Sequence, residues 1–539
     1  MQSASSSVYV RVPLVVSPEN RDLQQDVDAR LINGYVEKDF NGDYQVYKRF
    51  GFSAVVDLTG QGNPYGMFFW GSNLIYIFGT HFYVNNVLTY SSLVDNGTIF
   101  NFTSCLGSTP KLFFKNTVAS YVYDASNGVV PVTNIATFNF TGNTTNLSAV
   151  ITTISPNTTN MRVGDSISGS GIPSGSTIIS IDSSTQITIS ISATATAATV
   201  ALTDVPLSVY PSDLVSGCCY LDGVIYVMDY SNNIYGSNLN NPLVWNPTNV
   251  IKAQNEPSYG TYLLRQLSYL VAFKQFSIEF FYNAGNPTGS ALLPVQGAFI
   301  PIGCENTGTV QQIDGNIYFV SSTATTSYQV MALQNLKLTV ISTPPVERIL
   351  EALQSNIGIQ SFSFSYKGHI FYGIAADSLS YTLVYDISQN LWYKWEIYGG
   401  NSKIISQTNS SNFNDPTPIY FQIAGAQFVF QVNDEYLDDT FPIVFDLYTP
   451  NFDGGSRKRK VLNSLEIIGD QQEGSLLKIR CSEDDYQTWS NYRTVDMSKK
   501  RPRLINCGTF RKRAYHIHQV SNTPLRIKAI EVNVEEGEL

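Results

Sequence analysis

Apolar and polar positions alternate along most of the chain, and the alternation comes in short bursts. One phrase recurs: a small turn residue, then a strand of mixed aromatic and aliphatic residues. It begins at Gly71 (Gly-Ser-Asn-Leu-Ile-Tyr-Ile-Phe) and returns at Asp222-Gly223, Asp314-Gly315, Lys367-Gly368 and Ala424-Gly425. Weaker copies start at Val118 and Tyr269. Strict alternation over four to eight residues, bounded by Gly, Asp or Asn, predicts β-strands joined by tight turns. With one insertion set aside, the beats fall about 40 to 55 residues apart, the spacing of four-stranded propeller blades. One blade is too thin to bury both its faces, so blades must pack side by side. The beats predict six or seven blades.

Residues 137–204 break the rhythm. Of these 68 residues 27 are Ser or Thr and four are charged. Ile alternates with Thr and Ser in 176–181 and 186–191. Short β-branched strands with Gly and Pro turns predict a small β-sandwich or barrel inserted in a blade loop. A disordered linker is the poorer reading, because such segments lack β-branched residues. Only 345–353 reads as helical, with Pro near its start and Val346, Ile349, Leu350 and Leu353 on one face. From about residue 446 the pattern changes: 462–468, 476–481, 513–520 and 525–534 read as strands of a C-terminal β-sandwich. The expected organisation is all-β. A segment 1–60 packs on or completes a propeller made of 61–136 and 205–445. The insert is 137–204, and a basic sandwich occupies 446–539.

Composition supports this reading. Aromatic residues make up 13% of the 539 residues and charged residues 14%, against a usual charged share of about 25%. Tyr and Phe favour pleated, half-buried surfaces. Net charge is −10, unevenly spread. Residues 451–539 hold 16 Lys and Arg against 12 Asp and Glu, a net +4, which leaves −14 for residues 1–450. The N-terminus lacks a basic stretch followed by a long apolar run, and no 18-residue apolar run predicts a membrane span. The six Cys form no disulfide framework and no C-x-x-C pair. Adjacent Cys218 and Cys219 read as thiols on opposite strand faces.

Little points to catalysis. The chain lacks a G-x-S-x-G, a P-loop and an H-E-x-x-H. His516 and His518 share a strand face but show no third metal ligand in the sequence, so no metal and no cofactor is expected. Ser482, Asp484, Thr488 and Trp489 follow S-x-D-x-G-x-T-W, the Asp-box turn of sialidase propellers, with Tyr486 in place of Gly. That motif is structural even in enzymes. A sialidase needs three Arg to clamp a carboxylate, and residues 60–450 contain only Arg162, Arg265 and Arg348. No catalytic residue is expected. The basic runs Arg457, Lys458, Arg459, Lys460 and Arg511, Lys512, Arg513, with Lys499 to Arg503 between them, could grip nucleic acid. A subunit-facing assembly surface is the preferred reading.

Two further stretches carry a resemblance. Residues 30–37 (Arg-Leu-Ile-Asn-Gly-Tyr-Val-Glu) and 47–52 (Tyr-Lys-Arg-Phe-Gly-Phe) resemble the start of the tail hub proteins of short-tailed phages, also called packaged-DNA stabilisation proteins. That family usually has Pro-Gly where this chain has Phe50-Gly51. A longer likeness runs from Phe276 to Asn286, through 296–300 and Gly303-Cys304, to Asp314-Gly315. The resemblance leaves out the insert. It implies a virion protein made in the host cytoplasm. It also implies a self-assembled ring, typically a hexamer, below the portal and tail adaptor. Such a ring helps retain packaged DNA, passes genomic DNA through its lumen and docks tail spike, fibre or plug proteins. A receptor-binding adhesin, with the insert as its tip, and a propeller glycosidase are the alternatives.

Overall fold

The computed structural model describes residues 8–14, 29–132, 137–159, 161–206, 210–323, 328–353, 358–400, 403–409 and 418–537. The chain forms two compact units, one of residues 94–305 and one of residues 1–93 with 306–539.

The larger unit holds four antiparallel meanders of four strands each. Three lie at 64–90, 311–340 and 360–395. The fourth takes its first three strands from 404–433 and its last from Gly51–Asp57, which pairs with Phe428–Asn433. Tight turns set the registers. Asp314 and Gly315 have φ of 48° and 77°, and Lys367 and Gly368 have 47° and 84°. Two successive positive φ values make the turn whose twist matches the flanking strands. Inner strands such as Asn316–Val320 and His369–Ala375 are buried on both faces, whereas the last strands Val87–Tyr90 and Lys337–Val340 are largely exposed. First strands of neighbouring meanders meet through uncharged polar side chains. Gln407 donates to Gln311 at 3.0 Å, Gln311 to the Ser361 carbonyl at 3.0 Å, and Phe69 N–H to Thr408 at 2.9 Å. The predicted helix is Pro344–Ala352, with Val346, Ile349 and Leu350 buried.

A two-sheet sandwich completes this unit. One sheet is built on Lys460–Gly469 and Arg526–Glu536, flanked by Arg503–Ile505 and Thr509–Phe510 and by Val8–Val12, Gly34–Lys38 and Tyr44–Lys48. The other runs Arg30–Ile32, Phe445–Tyr448, Ala514–Gln519, Leu476–Ser482, Arg493–Asp496. Ile32 also pairs in parallel with Lys394, so this sheet continues into the 360–395 meander and has nine strands. The boundary expected at 446 is therefore not a break between bodies. The expected N-terminal segment also divides. Gly51–Asp57 completes a meander, while the earlier strands are part of the sandwich, where Val36 and Val46 are buried with Ile527 and Val532. Residues 1–7 and 15–28 of that segment lie outside the described residues.

The smaller unit holds three more four-stranded meanders, at 101–131, 219–252 and 260–294. Among the described residues this makes seven, and the fold is an all-β propeller. Asp222 and Gly223, with φ of 50° and 91°, repeat the tight turn. Cys218 and Cys219 are both buried but in different apolar clusters, as expected for opposite strand faces, and burial raises both thiols. The insert spans Phe138–Thr144 to Ala197–Val205 and forms one path of six strands. Ser166 bridges to Thr177, which brings the two ends of the path together around Phe140, Ile151, Ile167, Ile187, Ile189 and Leu202.

Candidate assembly surface

The long strand Lys460–Gly469 positions the basic runs. Lys460 pairs with Phe510 and Val461 with Thr509, so the loops carrying 457–459 and 511–512 are neighbours. The run at 499–503 lies toward the other end of the same strand, where Ser464, Leu465 and Glu466 pair with Ile505, Leu504 and Arg503. Arg501 is held there by a bidentate pair with Glu466 at 3.0 and 2.7 Å.

Within the predicted surface the residues separate into two kinds. Arg457, Lys458, Arg459, Arg511 and Lys512 are exposed. Lys458 lies 3.9 Å from Glu536 and Lys512 3.2 Å from Asp485. Lys460 and Arg513 are buried, at 2% and 3% exposure, and are not available to a partner. Lys460 Nζ donates to the Lys458 carbonyl at 2.9 Å and caps the loop before its own strand. Arg513 donates to the Cys507 carbonyl at 2.8 Å and to Glu483 at 2.5 Å, and its guanidinium lies 4.8 Å from the Phe510 ring centre. Each satisfies carbonyls that the turn leaves without strand partners. The surface expected from the sequence is corrected accordingly: two of its seven residues hold the fold.

The Asp-box turn is formed. Asp484 accepts from Ser482 Oγ at 2.8 Å and from Thr488 N–H at 2.9 Å. The Thr488 and Ser482 hydrogen bonds hold its carboxyl down to about 2. Tyr486, where the pattern has Gly, has a φ of 69°, a conformation that favours glycine. Its buried hydroxyl donates to the Thr449 carbonyl at 2.9 Å, an anchor that offsets the backbone cost. Trp489 packs on Tyr448, with ring centres 5.7 Å apart.

Beside this turn lies a cluster that the sequence did not reveal. Arg30, Tyr448, His516 and Arg480 sit directly opposite one another on four adjacent strands. Arg30 lies 3.9 Å from the Tyr448 ring centre, and the Tyr448 and His516 rings stack at 3.9 Å. Asp446, one row away, accepts from His516 Nε2 at 2.6 Å and from His518 Nδ1 at 2.8 Å. Burial opposes the Asp446 charge, yet these hydrogen bonds hold its carboxyl at about 2. Burial, aided by Arg480 and His518, pushes His516 below its ordinary value despite Asp446.

Asp446 is the third ligand that the sequence did not show, and Asp446, His516 and His518 could in number hold a metal ion. Their hydrogen bonds speak against it. Arg480 Nε–H donates to His516 Nδ1 at 2.9 Å, so the ring proton sits on Nε2 and faces Asp446. A His that binds metal through Nε2 carries its proton on Nδ1 and donates it onward, which Arg480 cannot accept. The cluster ties four strands of the sandwich together.

Residues 142–400 match the family model described as Phage_stabilise: Bacteriophage P22 Gp10, beta-propeller. The chain is similar to a phage β-propeller family over that span. The match takes in the insert from residue 142 onward, which the motifs had left out, and ends before the C-terminal strands of the sandwich and their basic loops. No curated protein matches the chain. Among solved structures, a chain of a crystal structure of the mitotic checkpoint complex is 8% identical, with a TM-score of 0.36 over 70% of this chain and 92% of that one. The computationally designed Ika8 protein is 10% identical, with a TM-score of 0.33 over 70% of this chain and 99% of that one. YCF48 bound to D1 peptide is 9% identical, with a TM-score of 0.33 over 71% and 96%.

Proposed function

We propose that this chain is a ring-forming structural subunit of a short-tailed phage tail, a hub or nozzle that extends the DNA channel below the portal and adaptor. It helps retain packaged DNA and serves as a platform for other tail proteins, without catalytic residues. The match of 142–400 to a phage β-propeller family carries this reading. Charge supports it: a net −10 per subunit suits a channel that must not hold phosphate, and identical neighbours can set a basic loop against an acidic face. The three Arg of residues 60–450 favour a non-enzymatic role. Arg162 donates to the Leu243 carbonyl, Arg265 to the Leu267 and Tyr220 carbonyls, and Arg348 sits on the helix Pro344–Ala352. No helix among the described residues is long and apolar enough to cross a membrane.

The test is light scattering with negative-stain imaging of the purified protein, and localisation in the virion. Closed rings, and density around the axial channel, are expected. A monomer at every concentration, found at a fibre tip, would establish the adhesin instead. Glycan hydrolysis that a single Asp or Glu substitution abolishes would establish the glycosidase.

A further inference from the structure

The insert contains three acidic residues, Asp165, Asp182 and Asp204. Asp182 is exposed and accepts from Ser180 and Thr188 at 2.7 and 2.8 Å, an ordinary surface arrangement. The other two are buried, Asp165 at 2% exposure and Asp204 at 0%. Two of the four charges in a Ser/Thr-rich module thus lie inside it. They are also neighbours. Ile167 pairs with Asp204 across antiparallel strands, and Asp165 stands two residues before Ile167, so the carboxylates are diagonal neighbours on one face.

Asp165 Oδ2 accepts the Arg162 N–H at 2.8 Å. Asp204 is different: both its oxygens are buried and neither has a hydrogen-bond partner. Burial, then the Asp165 charge, raises its carboxyl, and Asp165 acts on it through charge alone. A buried carboxylate without a partner is among the costliest groups in a fold. Ser and Thr are abundant in the module, yet none donates to Asp204. A buried carboxyl with no hydrogen-bond partner, as Asp204 is, is relieved either by a proton or by a cation. A shared proton joins two carboxyls by a hydrogen bond, and neither Asp204 oxygen makes one. Two carboxylates carry the charge that a divalent cation neutralises, and the two unpaired oxygens of Asp204 are hard-cation ligands.

We propose that Asp165 and Asp204 form a divalent-cation site in the inserted module, with Ca²⁺ or Mg²⁺ supplied by the medium. Main-chain carbonyls and water complete the oxygen shell, as such ions require. The inference stands independently of the tail role.

The experiment uses the full chain freed of metal by chelation. Isothermal titration with CaCl2 and with MgCl2 is compared for the wild type, Asp204→Asn and Asp182→Asn, alongside melting in excess cation and in EDTA. The wild type is expected to bind one equivalent of at least one cation and to melt at higher temperature in its presence. Asp182→Asn behaves like the wild type, and Asp204→Asn loses at least tenfold in affinity and the cation-dependent melting shift. Asn fits the same space, so a folded variant is expected, and circular dichroism checks it. No cation binding by the wild type, with Asp204→Asn more stable than the wild type at pH 7, overturns the proposal in favour of a protonated acid. Binding that Asp204→Asn leaves intact overturns it as well.

Discussion

At single residues the packing leaves little room for substitution. Gly51 belongs to the Phe-Gly pair that resembles the phage hub proteins, and its need for glycine is steric. A Cβ there would lie 2.0 Å from the Leu437 carbonyl oxygen and 2.8 Å from two further Leu437 backbone atoms. Backbone cannot swing aside as a side-chain end can. Gly51→Ala is expected to destabilise the larger unit by about 1–3 kcal/mol, the range of overpacked sites. A shift of the urea midpoint at unchanged slope checks this. Arg513 makes a second case. Arg513→Ala removes ties to two carbonyls and to Glu483, and its expected cost is about 2–4 kcal/mol. Exposed Arg511 and Lys512 should change stability little when replaced. Thermal melting of the three variants separates the fold-holding cation from its neighbours.

His369 has a pH signature. Its Nδ1 lies 2.6 Å from Asp386 and its Nε2 3.2 Å from Glu37, which joins the 360–395 meander to the sandwich strand Gly34–Lys38. Burial opposes the charged ring, yet Asp386 and then Glu37 outweigh it, and the folded-state value is raised above 6.5. Such a group contributes stability in full below the unfolded value of about 6.5. That contribution is lost as pH rises through the folded-state value. His369→Gln is therefore expected to lower stability most near pH 6, with a gap to the wild type that narrows as pH rises above 6.5. Urea unfolding at several pH values reads the gap, and a gap that widens toward alkaline pH would contradict the assignment.

Elements were the most legible level in the sequence. Each of the seven apolar beats falls in a different meander. Those at 71, 222, 269, 314 and 367 introduce the second strand, and those at 118 and 424 the third. They were legible because an inner blade strand is buried on both faces, and at 222, 314 and 367 the turn has two positive φ values, which leaves Asp-Gly or a similar pair before an apolar run. Pairings between distant strands were not legible. Nothing local in Gly51–Asp57 says that it pairs with Phe428–Asn433 while Gly34–Lys38, a few residues earlier, joins the C-terminal sandwich. The same limit hid Asp446. Its two His partners lie 70 and 72 positions away on a neighbouring strand. Burial of Lys460 and Arg513 was hidden too, because a basic residue inside a basic run reads as surface until its turn is seen.

The insert is the element most separable from the rest. Phe138 pairs with Asp204 and Asn139 with Thr203, so the two chain ends of the module lie side by side. Its apolar cluster is drawn from the module's own residues, Phe140 to Leu202. Replacing 138–205 with a short Gly/Ser linker is expected to leave the remaining protein folded, since closing that gap needs only a few residues. A cooperative melt in the deletion variant checks this, and loss of cooperativity would show that the module holds its host together.

For the whole molecule, the uneven charge bears on assembly. Residues 451–539 carry +4 and residues 1–450 carry −14. Closed rings repeat one heterologous contact, so a basic loop on each subunit can meet an acidic face on the next. The exposed members of the basic loops are Arg457, Lys458, Arg459, Arg511 and Lys512. They ride on a sheet edge anchored by buried Lys460 and Arg513, which gives their charges a fixed place without using the anchors as contacts. Each exposed pair across an interface contributes only about 0.2–1 kcal/mol, so a single substitution is a weak probe. Reversing Arg457, Arg511 and Lys512 together to Glu leaves both anchors in place and changes the local charge by six. The expected result is weaker ring or tail assembly with each subunit still folded. The wild-type assembly should weaken with added salt, and that dependence should diminish or invert in the variant, because screening then relieves repulsion instead of removing attraction. Light scattering across a salt series reads both effects. If the variant assembles normally but loses a salt-sensitive affinity for DNA, these residues face nucleic acid and the contact between subunits lies elsewhere.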